Sequence, residues 1–166
     1  MIKLKSSFSV VLTALLFLTA CKSDKQPAQM KTENTESLFP KGDQLTNGYF
    51  TGDAYLQPLL ARDENNDFAM GSVTFDAGAR TNWHTHPKGQ VLIVTDGKGW
   101  YQEKGKAAQV ISKGDVINIP ENTEHWHGAS ASNKMSHIAI TNYKGDENVV
   151  WLTPVTDDEY AAANKQ

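Results

Sequence analysis

A chain of 166 residues with 39% hydrophobic and 9% aromatic side chains suffices for one domain with its own core and is short for more. Its formal charge of −3 becomes −5, 14 basic against 19 acidic residues, once Lys3 and Lys5 of the N-terminal segment are left out. No run of Lys or Arg could track phosphates or coat a lipid surface, which speaks against nucleic acid and leaves small molecules, metal ions and proteins as partners.

In chain order, the first expected element is an export signal over residues 1–20. Lys3 and Lys5 give it a positive start, and the apolar stretch Phe8 to Leu18 is well short of the roughly 20 residues that span a bilayer. Leu18-Thr19-Ala20-Cys21 resembles the bacterial lipobox, and Cys21 is the single cysteine of the chain. A thiol with no internal disulfide partner, beside a cleavage-like site, is expected to carry a diacylglyceryl anchor. Lys22 rather than Asp after it implies, by the same resemblance, the outer membrane, with the domain facing the periplasm. Residues 22–37, KSDKQPAQMKTENTES, hold almost no large apolar side chain and cannot offset their ordering entropy. Residues 21–40 are therefore expected to form a flexible tether and residues 41–166 the folded domain.

Within that domain the sequence predicts strands at Tyr49 to Leu60, Phe68 to Phe75, Gln90 to Thr95, Gly99 to Glu103, Ala108 to Ile111, Val116 to Ile119, Lys134 to Thr141 and Val149 to Leu152. Turn signals separate them: DAG at 76–78, DGKG at 96–99, KGK at 104–106, KGD at 113–115 and PEN at 120–122. Many short, regularly spaced strands predict an all-β sandwich or barrel. One helix is expected, Thr156 to Ala163, with Thr156 and Glu159 as a capping box.

All five histidines, at 84, 86, 125, 127 and 137, lie in the second half of the chain. Side chains two apart on a strand share a face, so His84 and His86 point together, as do His125 and His127. Gln90 joins the first pair if Pro87-Lys88-Gly89 makes a short turn. Two such pairs with a carboxamide at matching parity predict a divalent metal site. His127 and His137 are open between a pocket role and structural hydrogen bonding. Trp83 and Trp126 must face the other way, either beneath the N-terminal segment or the C-terminal helix, or into a subunit interface.

Gly78-ARTNW-His84-Thr85-His86-PKG-Gln90-VLIVTD-Gly97 and Gly114-DVINI-Pro120-Glu121-Asn122-Thr123-Glu124-His125 resemble the two motifs of the cupins, with Gln90 where Glu is usual and Asn122 at a turn position usually held by Gly. The second motif ends on Ala129 in place of its usual Asn. From about Phe50 to Tyr160, including MSHIAI at 135–140 and VTDDEY at 155–160, the chain is similar to small single-domain cupins near carboxymuconolactone decarboxylase, and especially to manganese-dependent bacterial hydroxynitrile lyases.

The resemblance implies a double-stranded β-helix (jelly-roll) barrel. It assigns the metal to His84, His86, Gln90 and His125, with Mn(II) first and Fe(II) or Zn(II) as alternatives, and it lines the pocket with His127 and His137 as catalytic candidates. It also implies a homo-oligomer, a dimer or tetramer. Neutral ligands leave the ion's charge uncompensated, which suits an anionic or polarised oxygen ligand. The expected activity is a lyase on a small oxygenated substrate. A quercetinase-like dioxygenase and a non-catalytic ligand-binding module are the alternatives, because the ligand set does not choose among them.

Overall fold

The computed structural model describes residues 37–165. The signal, Cys21 and most of the expected tether lie outside the described residues.

Twelve strands and one helix follow in order: β1 (Asp43–Gln44), β2 (Phe50–Thr51), β3 (Ala54–Leu60), β4 (Phe68–Phe75), β5 (Arg80–Thr81), β6 (His84–Thr85), β7 (Gln90–Glu103), β8 (Gln109–Ser112), β9 (Val116–Ile119), β10 (His125–Ala129), β11 (Met135–Asn142), β12 (Val150–Trp151) and α1 (Asp157–Ala163). All pairings are antiparallel. A first sheet runs β1-β3-β4-β11-β7-β9. A second is built around β10, which pairs with β5, β6 and the far half of β7, with β2, β12 and β8 at its edges. The result is the expected jelly roll with a short C-terminal helix.

Strand β7 corrects one sequence expectation. DGKG at 96–99 was expected to end one strand and start another, yet β7 continues through it and belongs to both sheets. Gly97, at φ 74°, and a register shift in the facing β11 between Ser136 and His137 let the chain turn a barrel corner without reversing. The single run expected over Tyr49 to Leu60 is likewise divided into β2 and β3, where Gly52 takes φ 76°.

Between the sheets lies a core built on Ala54, Phe75, Leu92, Val94, Ile119 and Met135. Outside the second sheet sits another cluster: Trp83, Trp100 and Trp126 pack with Val155 and Ala163 of the C-terminal segment. Trp83 and Trp126 are 2% and 0% exposed, so of the two readings of their outward faces, burial under the C-terminal helix holds. Their indole N–H groups donate to Glu159 and Gln102, and that of Trp100 to Asn164. The capping box forms as expected: Glu159 N–H donates to Thr156 Oγ1 at 3.2 Å, and Thr156 N–H to the Glu159 carboxylate at 2.9 Å. Helix α1 thus seals the sheet that carries three of the histidines.

Candidate metal centre

The six predicted metal and pocket residues, His84, His86, Gln90, His125, His127 and His137, are all buried inside the barrel. Register sets the centre: in the β6–β10 pair His84 stands opposite His125, and their rings lie 4.1 Å apart. His86 follows at 5.0 Å from His84. A turn then reverses the chain as Gly89, at φ 74°, donates its N–H to the His86 carbonyl at 3.1 Å. The same carbonyl accepts the N–H of Asn122 at 2.9 Å, and Asn122 takes φ 57°, the left-handed turn conformation its motif position requires. One carbonyl therefore ties the two histidine segments together. Gln90 opens β7, opposite Thr141 of β11, while His137 stands two face-steps back along β11 and its ring is 4.9 Å from that of His127.

The side chains fall into two groups by their hydrogen bonds. His84, His86 and His125 each set Nδ1 against a backbone carbonyl, of Asn82 at 2.9 Å, Asn148 at 2.6 Å and Thr123 at 2.8 Å. A carbonyl can only accept, so Nδ1 carries the proton and Nε2 presents a lone pair. Gln90 donates its amide N–H to Thr141 Oγ1 at 2.9 Å, which turns Oε1 the other way. His86 Nε2, His125 Nε2 and Gln90 Oε1 are buried with no hydrogen-bond partner. His127 and His137 lack such anchors: His127 Nδ1 and both ring nitrogens of His137 are buried and unpartnered.

Burial holds these rings neutral. It lowers His125 and His137 to about 4 and His86 below its ordinary value. His84 and His127 are pushed well below 6.5, first by burial and then by neighbouring imidazoles. Uncharged imidazoles with free lone pairs are the form a cation needs, and unpartnered buried nitrogen and oxygen atoms are costly without one, so the residues fit a divalent ion. Ring nitrogens of His84, His125 and His127 come within 4.8 Å of one another and could hold a metal ion, a group that has His127 where the resemblance implied His86.

The adjoining cavity is about 240 Å³. Leu45, Phe50, Leu56, Val73 and Trp151 give it apolar walls, no Asp or Glu among the described residues lines it, and His84, His86, Gln90, His127 and His137 all reach it. Sequence reasoning missed Trp151, whose ring lies 4.9 Å from that of His84, and the anchoring groups. Thr141 could have been found, since it shares a strand face with His137 four positions earlier; the three carbonyls carry no side-chain signal at all.

Residues 71–141 match the cupin domain family. The chain is 45% identical over 112 residues to an (R)-mandelonitrile lyase of Granulicella tundricola, covering 68% of this chain and 86% of that protein. A cupin-like protein of Thermotoga maritima has 42% identity and a TM-score of 0.74 over 78% of this chain and 98% of its own. A cupin 2 conserved barrel domain protein of Rhodopseudomonas palustris shares the fold at 21% identity, with a TM-score of 0.55 over 75% and 81% of the two chains. With 45% identity over 68% of its length to one relative and a cupin domain match over residues 71–141, the chain belongs to the cupin family.

Proposed function

We propose that the protein is a metal-dependent lyase that cleaves cyanohydrins, with His84, His86, His125 and Gln90 as ligands and Mn(II) as the native ion. Fe(II) and Zn(II) are also compatible with a donor set of three imidazoles and one amide oxygen. The observation that carries the reading is the hydrogen-bond pattern: the four side chains that the cupin motifs single out have their outer polar atom anchored and their inner one free. Ligand histidines almost always carry such an outer partner, and His127 Nδ1 and the His137 ring have none. The relative named as an (R)-mandelonitrile lyase supplies the reaction class.

A divalent ion bound there supplies Lewis acidity toward a substrate oxygen and offsets charge that develops on it. The chain's own residues do the rest. His127 or His137, neutral and unpartnered, accepts the substrate hydroxyl proton. The bond between the carbinol carbon and the nitrile breaks, the oxygen becomes a carbonyl, and cyanide leaves with a proton. The apolar walls hold the organic group and exclude water.

The test is release of benzaldehyde from mandelonitrile by Mn(II)-loaded protein, with a chelated control. Oxygen uptake without cyanide release would instead establish the dioxygenase, and binding without turnover the non-catalytic module. We also propose that Cys21 anchors the protein to the outer membrane, facing the periplasm, and that the folded domain is a homo-oligomer. Labelling of the full chain by a radioactive fatty acid, lost in Cys21→Ser, tests the anchor, and light scattering tests the assembly.

A further inference from the structure

Antiparallel partners share a face, so the ladders of the first sheet can be followed outward from the centre. One cross-strand row holds Leu56, Val73 and His137; the next holds Pro58, Gly71 and Ala139; the third holds Ala69, Thr141 and Gln90. Beyond His137 the floor formed by β4 and β11 is therefore made of Gly71, Ala139, Ala69 and Thr141, all small. Small residues on a strand face leave a trough. The structure shows one: a second cavity of about 340 Å³ that shares Leu56, Val73, Ala139, Thr141 and Asn148 with the inner cavity and continues outward past Pro58, Met70 and Tyr143. Among the described residues, none of β2, β5, β6, β10 or β12 lines this outer cavity, so the second sheet does not cover that end of the floor.

The trough has the wrong chemistry for an anion. Its single charged side chain among the described residues, Arg62, is already committed: it bonds Asp67 at 2.8 Å and Asp146 at 3.4 Å, donates to the Gly145 carbonyl and stacks on the Tyr143 ring at 4.8 Å. Its other walls are Leu, Val, Met, Ala, Gly, Pro and Tyr with the neutral polar Thr141 and Asn148.

We propose that this trough is a substrate subsite, and that the substrate is an oxygenated carbon carrying a long, uncharged apolar arm, the reacting end at the imidazoles and the arm lying along Gly71 and Ala69. This rests on the lyase reading for the chemistry at the inner end and adds the class of group at the outer one. A single ring would occupy the inner cavity and leave the larger outer one open to water.

The experiment uses the carbonyl products, which bind without reacting when cyanide is absent. Affinities of benzaldehyde and of its para-ethyl, para-butyl and para-hexyl homologues for the metal-loaded protein are measured by calorimetry. Burial of each methylene tightens binding about fourfold, so the series should climb through butyl and flatten once the trough is full. Two fillings of the trough check the location. In Ala69→Leu the new side chain occupies the floor. In Gly71→Ala a Cβ would stand 2.6 Å from Leu56 Cδ1 and drive that flexible side chain across the passage. Each should lower the hexyl-to-benzaldehyde affinity ratio at least tenfold, a ratio that cancels any general effect on the centre. Affinities independent of chain length, or a climb that both variants retain, overturn the proposal. So does a self-associated protein whose length dependence appears only on dilution to the monomer, because a second copy then covers the trough. A length dependence that both variants abolish, in a protein that cleaves no cyanohydrin, upholds the subsite and sinks the lyase reading instead.

Discussion

His125 and His127 stand two residues apart on one strand, face the same way and are both buried, yet the fold treats them differently. His125 has its outer nitrogen held by the Thr123 carbonyl, and His127 has nothing to hold its Nδ1. Across the site the same division separates His84, His86 and Gln90, which are anchored, from His137, which is not. An anchored donor is pre-oriented with a fixed tautomer, which suits a ligand. An unanchored neutral imidazole can take either tautomer and gain a proton without breaking an existing bond, which suits an acid–base group. Pattern spacing alone does not separate these roles; the hydrogen bonds do.

The strongest way to break the comparison is to delete one member of each class. His125→Ala is expected to lose most of its metal and all measurable turnover, because a remnant of three donors holds a divalent ion poorly. Elemental analysis beside an activity assay decides this. A fully loaded His125→Ala would show that the anchor pattern does not mark ligands, and the tight His84, His125 and His127 group would then need reconsidering.

His127→Ala and His137→Ala are the counterpart. Whichever imidazole takes the proton should keep the metal and lose roughly 10²–10⁴ in kcat when removed, the usual worth of a positioned general base. Full rate in both variants places the base elsewhere.

The sequence made the barrel legible because its signals were local. Most of the glycine turns, the short strands and the Thr156 and Glu159 capping box each depend on a few neighbouring residues, and these are present in the structure. Paired histidines were legible for the same reason, since strand parity is a two-residue rule. What was not legible is long-range. The corner in β7 depends on Gly97 facing the start of β11, and the sealing of Trp83 and Trp126 on a helix some thirty or more residues away. The anchors on His86 and Gln90 come from Asn148 and Thr141, 62 and 51 residues distant, and the first is a backbone carbonyl that any residue would supply.

That last point selects the next experiment. Three of the four anchors are backbone carbonyls and cannot be deleted by substitution; the Thr141 hydroxyl can. Thr141→Val keeps the shape and leaves the Gln90 amide free to flip, so metal affinity should fall about 10- to 100-fold, as for other outer partners of metal ligands. Thr141→Ser restores the hydroxyl and should restore the affinity. A Val variant that binds metal as tightly as the parent would mean that Gln90 Oε1 is not a donor.

The smallest effect expected is on stability, and it measures what burying the unanchored group costs. Burial lowers His137 from 6.5 to about 4 in the folded protein, whereas in the unfolded chain it titrates near its ordinary value. Between those two values the unfolded chain binds a proton that the folded one does not, so stability is fully present above pH 6.5 and is lost as pH falls toward 4. Each histidine in this position contributes a slope of about 1.4 kcal/mol per pH unit. Chelated protein is the form to study, since a bound ion would add its own proton competition. Urea unfolding at intervals between pH 7 and pH 4 gives the slope for the parent, and His137→Phe should be shallower by the contribution of one histidine. An unchanged slope would mean that the His137 ring accepts its proton inside the folded barrel, with a neighbour such as His127, 4.9 Å away, taking up the hydrogen bond.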